Sequence, residues 1–226
     1  MMEANRKHWN EQHAVLHRLL MKEKNFKKAL PVLLEQHAAM HSAKLGAGAR
    51  WSFPDEVLGA LTEAQMRFIP KGGQPVVWKL WHMTRVEDIT MNLLLAGSPQ
   101  VLKSGNWLNK MGVDFTDVGN DMPASDLIKM SERLNVKALL AYRLAVGRRT
   151  RSILRRLKPD ALWEPPAANR IRRIIEERTL RETAGWLLKY WGGNPGANLL
   201  LMPATRHPFV HLNEISRMLP KLRRLE

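Results

Sequence analysis

Histidine is the residue type whose spacing in this chain points most directly to chemistry. His37 and His41, and likewise His207 and His211, are four residues apart in segments with helical periodicity. Residues four apart on a helix share one face, with about 5–6 Å between their Cβ atoms. Two imidazoles in this arrangement can bind one metal ion. A third ligand from another helix would complete a three-histidine site with a position left for water or substrate.

His82 is the candidate for that third ligand. It shares an apolar stripe with Trp78 and Val86, and His207 and His211 continue into the apolar stripe of the last predicted helix. All three rings are therefore expected to point inward, where an imidazole without a partner is costly. A metal ion would satisfy several rings at once. The competing interpretation is that each ring is an ordinary hydrogen-bonded core histidine.

The remaining histidine pairs are interpreted differently. His37 and His41 follow apolar residues and are expected to point inward, but the sequence leaves open whether they join the same cluster. His13 and His17 are also four residues apart. Their segment is polar and lies at the start of the sequence, so we interpret them as ordinary histidines rather than metal ligands.

The elements that must position these rings are predicted to be helices nearly throughout. Apolar residues recur at helical spacing, and no segment alternates apolar and polar residues for the length of a strand. Asn25 and Thr205 are predicted N-caps, and Pro75 suits a first helical position. The predicted helices cover residues 3–24, 25–45, 75–96, 125 or 135 to 157, 169–191 and 205–222, with a short helix near Trp107.

This pattern predicts an all-α fold, a four-helix bundle with extra short helices and long connections. The chain has no internal repeat and no linker long enough to divide it. We therefore expect one domain over residues 1–226. Residues 1–24 would form an N-terminal helical extension, and residues 159–191 a helical insert.

Composition excludes several classes of protein. The chain has 226 residues, 45% hydrophobic and 25% charged, which is typical of a folded globular protein. It has no cysteine, so disulfides, zinc ribbons, iron–sulfur clusters and a cysteine nucleophile of its own are excluded. No secretory segment is visible, and no apolar run approaches the ~20 residues of a spanning helix. We expect a cytoplasmic protein that does not insert into a membrane.

The positive charge is unevenly distributed. The net charge is +15, and residues 143–181 contain twelve basic and four acidic residues, a net charge of +8. Such a region could attract nucleic acid, which gives an alternative function: a nucleic-acid-binding module without catalysis. We favour solvated helix faces, because stacking aromatics are not interleaved with the arginines and no nucleic-acid-binding motif is present.

Three stretches carry a family resemblance. They are WKLWHMTRVED at 78–88, AYRLAVGRRT at 141–150 and LMPATRHPFVHLNE at 201–214. Together they make the chain similar to the DinB-like (DinB/YfiT) superfamily over about residues 25–222. The resemblance implies a four-helix bundle, often dimeric, in which three histidines bind a divalent metal such as zinc or nickel. His82, His207 and His211 match those three positions.

The resemblance also implies a chemistry. Superfamily members with known activity are metal-dependent thiol transferases that use small thiols such as bacillithiol or mycothiol. We therefore expect a metal-dependent thiol transferase or a hydrolase acting on a small molecule. A cation held by neutral imidazoles can lower the pKa of a bound water or thiol. Because the chain lacks cysteine, the thiol would have to be a co-substrate.

Carboxylates near the three histidines are the remaining candidates. Glu214 lies three residues after His211 and is the candidate catalytic residue, which would orient a ligand or transfer a proton. An exposed helical glutamate is the competing interpretation. Glu87 and Asp88 lie five and six residues after His82, an offset that does not share its face. We therefore interpret both as structural or surface residues.

Overall fold

The computed structural model describes residues 2–46 and 51–225, and within them the chain is helical without a β-strand. The α-helices are α1 (Met2–Leu20), α2 (Phe26–Ala39), α3 (Phe53–Leu58), α4 (Glu63–Arg67), α5 (Val76–Asp88), α6 (Val101–Ser104), α7 (Trp107–Met111), α8 (Ala124–Arg133), α9 (Val136–Arg156), α10 (Ala168–Glu176), α11 (Trp186–Gly192), α12 (Gly196–Leu201) and α13 (His207–Leu222).

Four of these helices form a closed bundle. Helix α2 contacts α9, α9 contacts α5, and α5 contacts α13; the π-helical segment Met202–Arg206, which precedes α13, contacts α2 and closes the ring. Helix α1 packs along α2 outside the ring. The predicted all-α four-helix bundle with extra short helices and long connections is confirmed.

Helix α5 is the innermost element of the bundle. Every residue from Val76 to Asp88 is buried, and the helix continues as a buried π-helical segment, Ile89–Ala96, that ends at Gly97. A helix that is covered on all sides must pair its charges. Arg85 accordingly donates to Asp88 at 3.1 Å, and the hydroxyl of Tyr142 donates to the same carboxylate at 2.5 Å.

Several predicted boundaries shift. The helix predicted over 25–45 ends at Ala39, and a separate 3-10 turn, Ala43–Leu45, follows it. The helix predicted from residue 125 or 135 is two helices, because Asn135 interrupts it and caps α9 by accepting the N–H of Ala138 at 3.0 Å. The predicted helix 169–191 is likewise α10, a 3-10 turn at Glu182–Ala184 and α11.

Two predicted N-caps are wrong in detail. Asn25 precedes α2, but its side chain makes no capping hydrogen bond. Thr205 lies inside the Met202–Arg206 segment, and its hydroxyl donates to the carbonyls of Leu200 and Leu201 rather than capping α13. The chain enters α13 from a continuous π-helical turn, so the free N–H groups that a cap would satisfy are not presented there.

The basic region at 143–181 is only in part the solvated surface that the sequence favoured. Arg143 and Arg151 are 4% and 7% exposed and donate to the carbonyls of Met40 and Leu34. Arg170 donates to the carbonyls of Leu94 and Leu95. These bonds join the predicted insert to the end of the π-helical segment that follows α5. Much of this charge therefore holds helices together.

Among the described residues, every helix is too short or too polar to span a lipid bilayer.

His13 joins α1 to the segment that leads into α13. Its ring lies between Arg206, which donates to Nδ1 at 3.0 Å, and the carbonyl of Leu201, 3.1 Å from Nε2. Burial, together with the charge of Arg206, lowers the pKa of His13 to about 4. The neutral imidazole is therefore the form that the fold accommodates.

We expect His13 to make folding pH-dependent. Because its pKa is lowered in the folded state, its stabilising contribution is complete above about pH 6.5 and is lost as the pH falls towards 4. Urea unfolding at pH 7 and pH 4.5 should show a smaller loss of stability in His13→Gln than in wild type, by on the order of 1–2 kcal/mol. The control is His17→Gln, which is exposed on the same helix; equal losses in all three proteins would contradict the expectation.

Candidate metal centre

Three imidazole rings from two helices converge on one point. His82 lies on α5, and His207 and His211 occupy the first two turns of α13. Nε2 of His207 is 3.0 Å from Nε2 of His82 and 3.1 Å from Nε2 of His211. The ring planes cross at 69–89°, so the three nitrogens face inward as a tripod. The structure thus brings together the three histidines that the sequence singled out.

Hydrogen bonds at Nδ1 of His82 and of His211 determine which nitrogen of each ring carries the proton. Nδ1 of His82 is 2.7 Å from the carbonyl oxygen of Val118, which can only accept, so His82 carries its proton on Nδ1. Nδ1 of His211 is 2.9 Å from Oε2 of Glu214 and carries a proton for the same reason. In the neutral rings, Nε2 of both residues is therefore a lone pair directed into the cluster.

A divalent cation fits this arrangement. Two or three lone pairs at 3.0–3.1 Å repel one another, and the single proton that His207 can place on Nε2 satisfies only one of them. Nitrogens bound to one zinc ion at about 2.0–2.1 Å, with angles of roughly 90–110°, are about 2.9–3.4 Å apart. The spacing and the inward lone pairs are thus compatible with metal binding.

Burial keeps the rings in the form that can ligate. It lowers the pKa of His82 to about 3, with a further contribution from His211. Burial also holds the pKa of His207 well below its usual range. Neutral imidazole is the ligand form of histidine, so near neutral pH no proton has to leave His82 or His207 before a cation binds.

The loop between α7 and α8 orients His82, and no pattern in the sequence indicates this contact. The indole of Trp78 stacks on the His82 ring at 4.7 Å and donates to the carbonyl of Gly119 at 3.1 Å. Gly119 has φ +86°, and a Cβ there would lie 2.9 Å from the indole nitrogen. The N–H of Val118 donates to the carbonyl of Thr179, so the predicted insert supports the loop.

Glu214 and Lys79 form the opposite side of the centre. Nζ of Lys79 is 2.6 Å from Oε2 of Glu214, the oxygen that also accepts from His211. These hydrogen bonds, that of His211 first, lower the pKa of Glu214 to about 2, so its carboxylate is ionised near neutral pH. Glu214 is 35% exposed and His211 14% exposed, whereas Lys79 is 8% exposed. The cluster is therefore open to solvent on the Glu214 side.

His37 and His41 do not join this cluster. His37 lies on α2 and His41 two residues beyond its end, and both contact the carboxylate of Glu87, with Nε2–oxygen distances of 2.8 and 2.9 Å. Burial alone raises the pKa of Glu87, but His41 and His37 outweigh it and hold that pKa well below its usual range. Glu87 and Asp88 are fully buried, so the surface interpretation of these two carboxylates was wrong.

The residues that hydrogen-bond to the histidines and to Glu214 from outside the cluster could not be predicted from the sequence. Val118 contributes only a main-chain carbonyl, which any residue could supply, and Lys79 is an ordinary helical lysine by its spacing. No local pattern connects Glu87 with His37 and His41, because the contact joins positions 50 and 46 residues apart in the chain. The paired spacing of those two histidines was the one available signal.

Comparison with known protein families identifies the family of this chain. A family model described as the DinB superfamily matches residues 51–190. That stretch includes His82 and ends before His207 and His211, so the convergence of the three rings is an observation separate from the match. No curated protein matches the chain.

Glu214→Gln is expected to weaken metal binding at the three-histidine cluster. The amide can still accept from His211, but the charge that stabilises the Nδ1–H tautomer is gone, and loss of such an outer partner costs about 10–100-fold in affinity. Competition of the purified protein with a chromophoric chelator for Zn²⁺ measures this. Glu11→Gln, an exposed carboxylate on α1, is the control. Equal affinities for all three proteins would show that Glu214 does not position His211.

Proposed function

Since the chain belongs to the DinB superfamily, we propose that it holds a divalent transition-metal ion on His82, His207 and His211 and uses it to act on a small molecule. The observation that carries this proposal is the convergence of three Nε2 atoms. Two of them are kept as inward lone pairs by the hydrogen bonds of His82 to Val118 and of His211 to Glu214. Zinc and nickel both suit a set of neutral imidazole ligands.

The reaction class we propose is transfer of a small thiol, with hydrolysis as the alternative. When bound, the ion would act as a Lewis acid and lower the pKa of a thiol or water that reaches it. Since the sequence contains no cysteine, the thiol has to be a co-substrate. The side of the cluster at His211 and Glu214 is partly exposed, which gives such a substrate a direction of approach.

The chain's own residues would orient the ligands and exclude water. Val118 and Glu214 fix the tautomers of His82 and His211, and the stacked indole of Trp78 covers the His82 ring. Glu214 is ionised and accepts from both Lys79 and His211. We therefore assign it a positioning role through His211 in preference to proton transfer. The small-molecule substrate and the homodimer implied by the family resemblance belong to the same proposal.

Metal analysis tests the binding part of the proposal. Protein purified without a histidine tag and loaded with Zn²⁺ is expected to lose one ion per chain in each of His82→Ala, His207→Ala and His211→Ala, because two imidazoles alone bind much more weakly. His17→Ala, an exposed histidine on α1, should keep the wild-type content. Circular dichroism verifies folding. Unchanged metal content in the three variants would remove the proposal.

An activity assay tests the thiol-transfer part. Wild-type protein loaded with Zn²⁺ or Ni²⁺ is incubated with a low-molecular-weight thiol and an electrophilic fluorogenic acceptor. We expect a conjugation rate that depends on the metal and falls at least tenfold in His207→Ala, since the thiol is no longer activated. His17→Ala is again the control. A rate that metal removal and His207→Ala both leave unchanged would exclude thiol transfer at this centre.

A further inference from the structure

A second cluster of ligating side chains lies inside the bundle, apart from the three-histidine centre. His37 of α2 and His41, two residues beyond the end of α2, face Glu87 of α5 in the interior of the bundle. Nε2 of His37 is 2.8 Å from Oε1 and Nε2 of His41 is 2.9 Å from Oε2 of the same carboxylate. The three residues are 0%, 1% and 0% exposed. Each offers one ligand atom, and these atoms lie within 4.8 Å of one another.

The charge balance of this cluster is unusual for a protein interior. A buried carboxylate is expected to pair with a cation, and Glu87 instead receives hydrogen bonds from two imidazoles and from the hydroxyl of Thr150 at 2.7 Å. The nearby guanidinium of Arg143 does not bond to it, since its described hydrogen bonds go to Met40 and Thr84. The two imidazoles are therefore the only ion-pair partners of this carboxylate among the described residues.

We propose that His37, His41 and Glu87 form a second site for a divalent transition-metal cation. Two histidines and one carboxylate are a donor set that zinc uses in proteins. Ligand atoms at about 2.0–2.2 Å from one ion are about 2.8–3.4 Å apart at ordinary bond angles, the range in which both histidine–carboxylate distances fall.

The second site differs from the first in being closed. Its ligands are fully buried, whereas the three-histidine cluster is partly open at His211. A closed site with protein ligands is typical of structural metals. Helix α2 supplies His37 and the turn after it supplies His41. Helix α5 supplies Glu87, to which Thr150 of α9 donates. The ion would therefore connect three of the four helices of the bundle.

Two features predict that this site binds its ion more weakly than the first. Nδ1 of His37 and Nδ1 of His41 are buried without a partner among the described residues, so no acceptor stabilises the Nδ1–H tautomer that frees Nε2 for a cation, as Val118 does for His82. The positive charge of Arg143 is also close to His41 and opposes a cation. We expect the two sites to fill in sequence, with the three-histidine centre first.

His41 packs against α9 and also lines a cavity. Gly147 of α9 lies against it, and a Cβ at that position would be 2.7 Å from Nδ1 of His41, so any other residue would displace the ring. On another side, His41 and Arg143 line a cavity of about 720 Å³. An ion can approach the closed cluster from this cavity.

Zn²⁺ titration of the chelator-stripped full chain tests the proposal. Wild type is expected to bind two ions per chain, the second about 10–100-fold more weakly. His82→Ala/His207→Ala should bind one ion, and adding Glu87→Gln should abolish that binding. Glu35→Gln, which removes an exposed carboxylate from α2, is the matched control in the same double-variant background and should keep the second ion. Added Zn²⁺ should raise the melting temperature of the double variant but not of the triple variant.

The outcomes separate this proposal from the proposed function. One ion in wild type and none in His82→Ala/His207→Ala, at saturating Zn²⁺, overturns the second site and leaves the first intact. One ion in both proteins, lost with Glu87→Gln, supports the second site and removes the first. If Glu87→Gln does not fold, the comparison of wild type with the double variant still decides, and His37→Gln replaces it as the probe of the ligands.

Discussion

The candidate centre depends on two hydrogen bonds that point away from it. His82 donates to the carbonyl of Val118, and His211 donates to Glu214, and each bond forces the opposite nitrogen of its ring to present a lone pair to the cluster. Without these two bonds, no acceptor would hold the outer protons of His82 and His211, and their Nε2 atoms, 3.0 and 3.1 Å from Nε2 of His207, would not be fixed as lone pairs. The packing of the bundle holds Val118 and Glu214 where these two bonds form.

Helix α5 shows how one buried helix can serve two clusters. His82 and Glu87 are five residues apart, which places them about 140° apart around the helix axis. His82 therefore points towards α13, and Glu87 points towards His37 on α2 and His41 in the turn that follows α2. The reasoning that Glu87 cannot share the face of His82 was correct. Of the two expected roles, structural or surface, only the surface role is contradicted, because a helix buried on all sides has a partner at every angle.

Two segments outside the four-helix ring, residues 159–191 and α1, help to position the three-histidine cluster. Thr179, in the predicted insert at 159–191, accepts from the N–H of Val118, and Arg181 forms ion pairs with Asp117 and Asp126. The loop that orients His82 is thus attached to the insert by main-chain and charged contacts. The N-terminal helix contributes in a similar way, since His13 holds the π-helical segment that leads into His207.

The sequence by itself determined the helical class, the bundle and the three inward histidines, because these follow from local periodicity and from residues three and four apart on a helix. Tertiary structure decided which rings meet. His37 and His41 have the same spacing as His207 and His211, yet the fold places the first pair on Glu87 and the second on His82. It also decided the tautomers, since the carbonyl of Val118 reaches His82 from a loop 36 residues further along the chain. Contacts of this kind depend on how helices pack, and no local pattern in the chain encodes them.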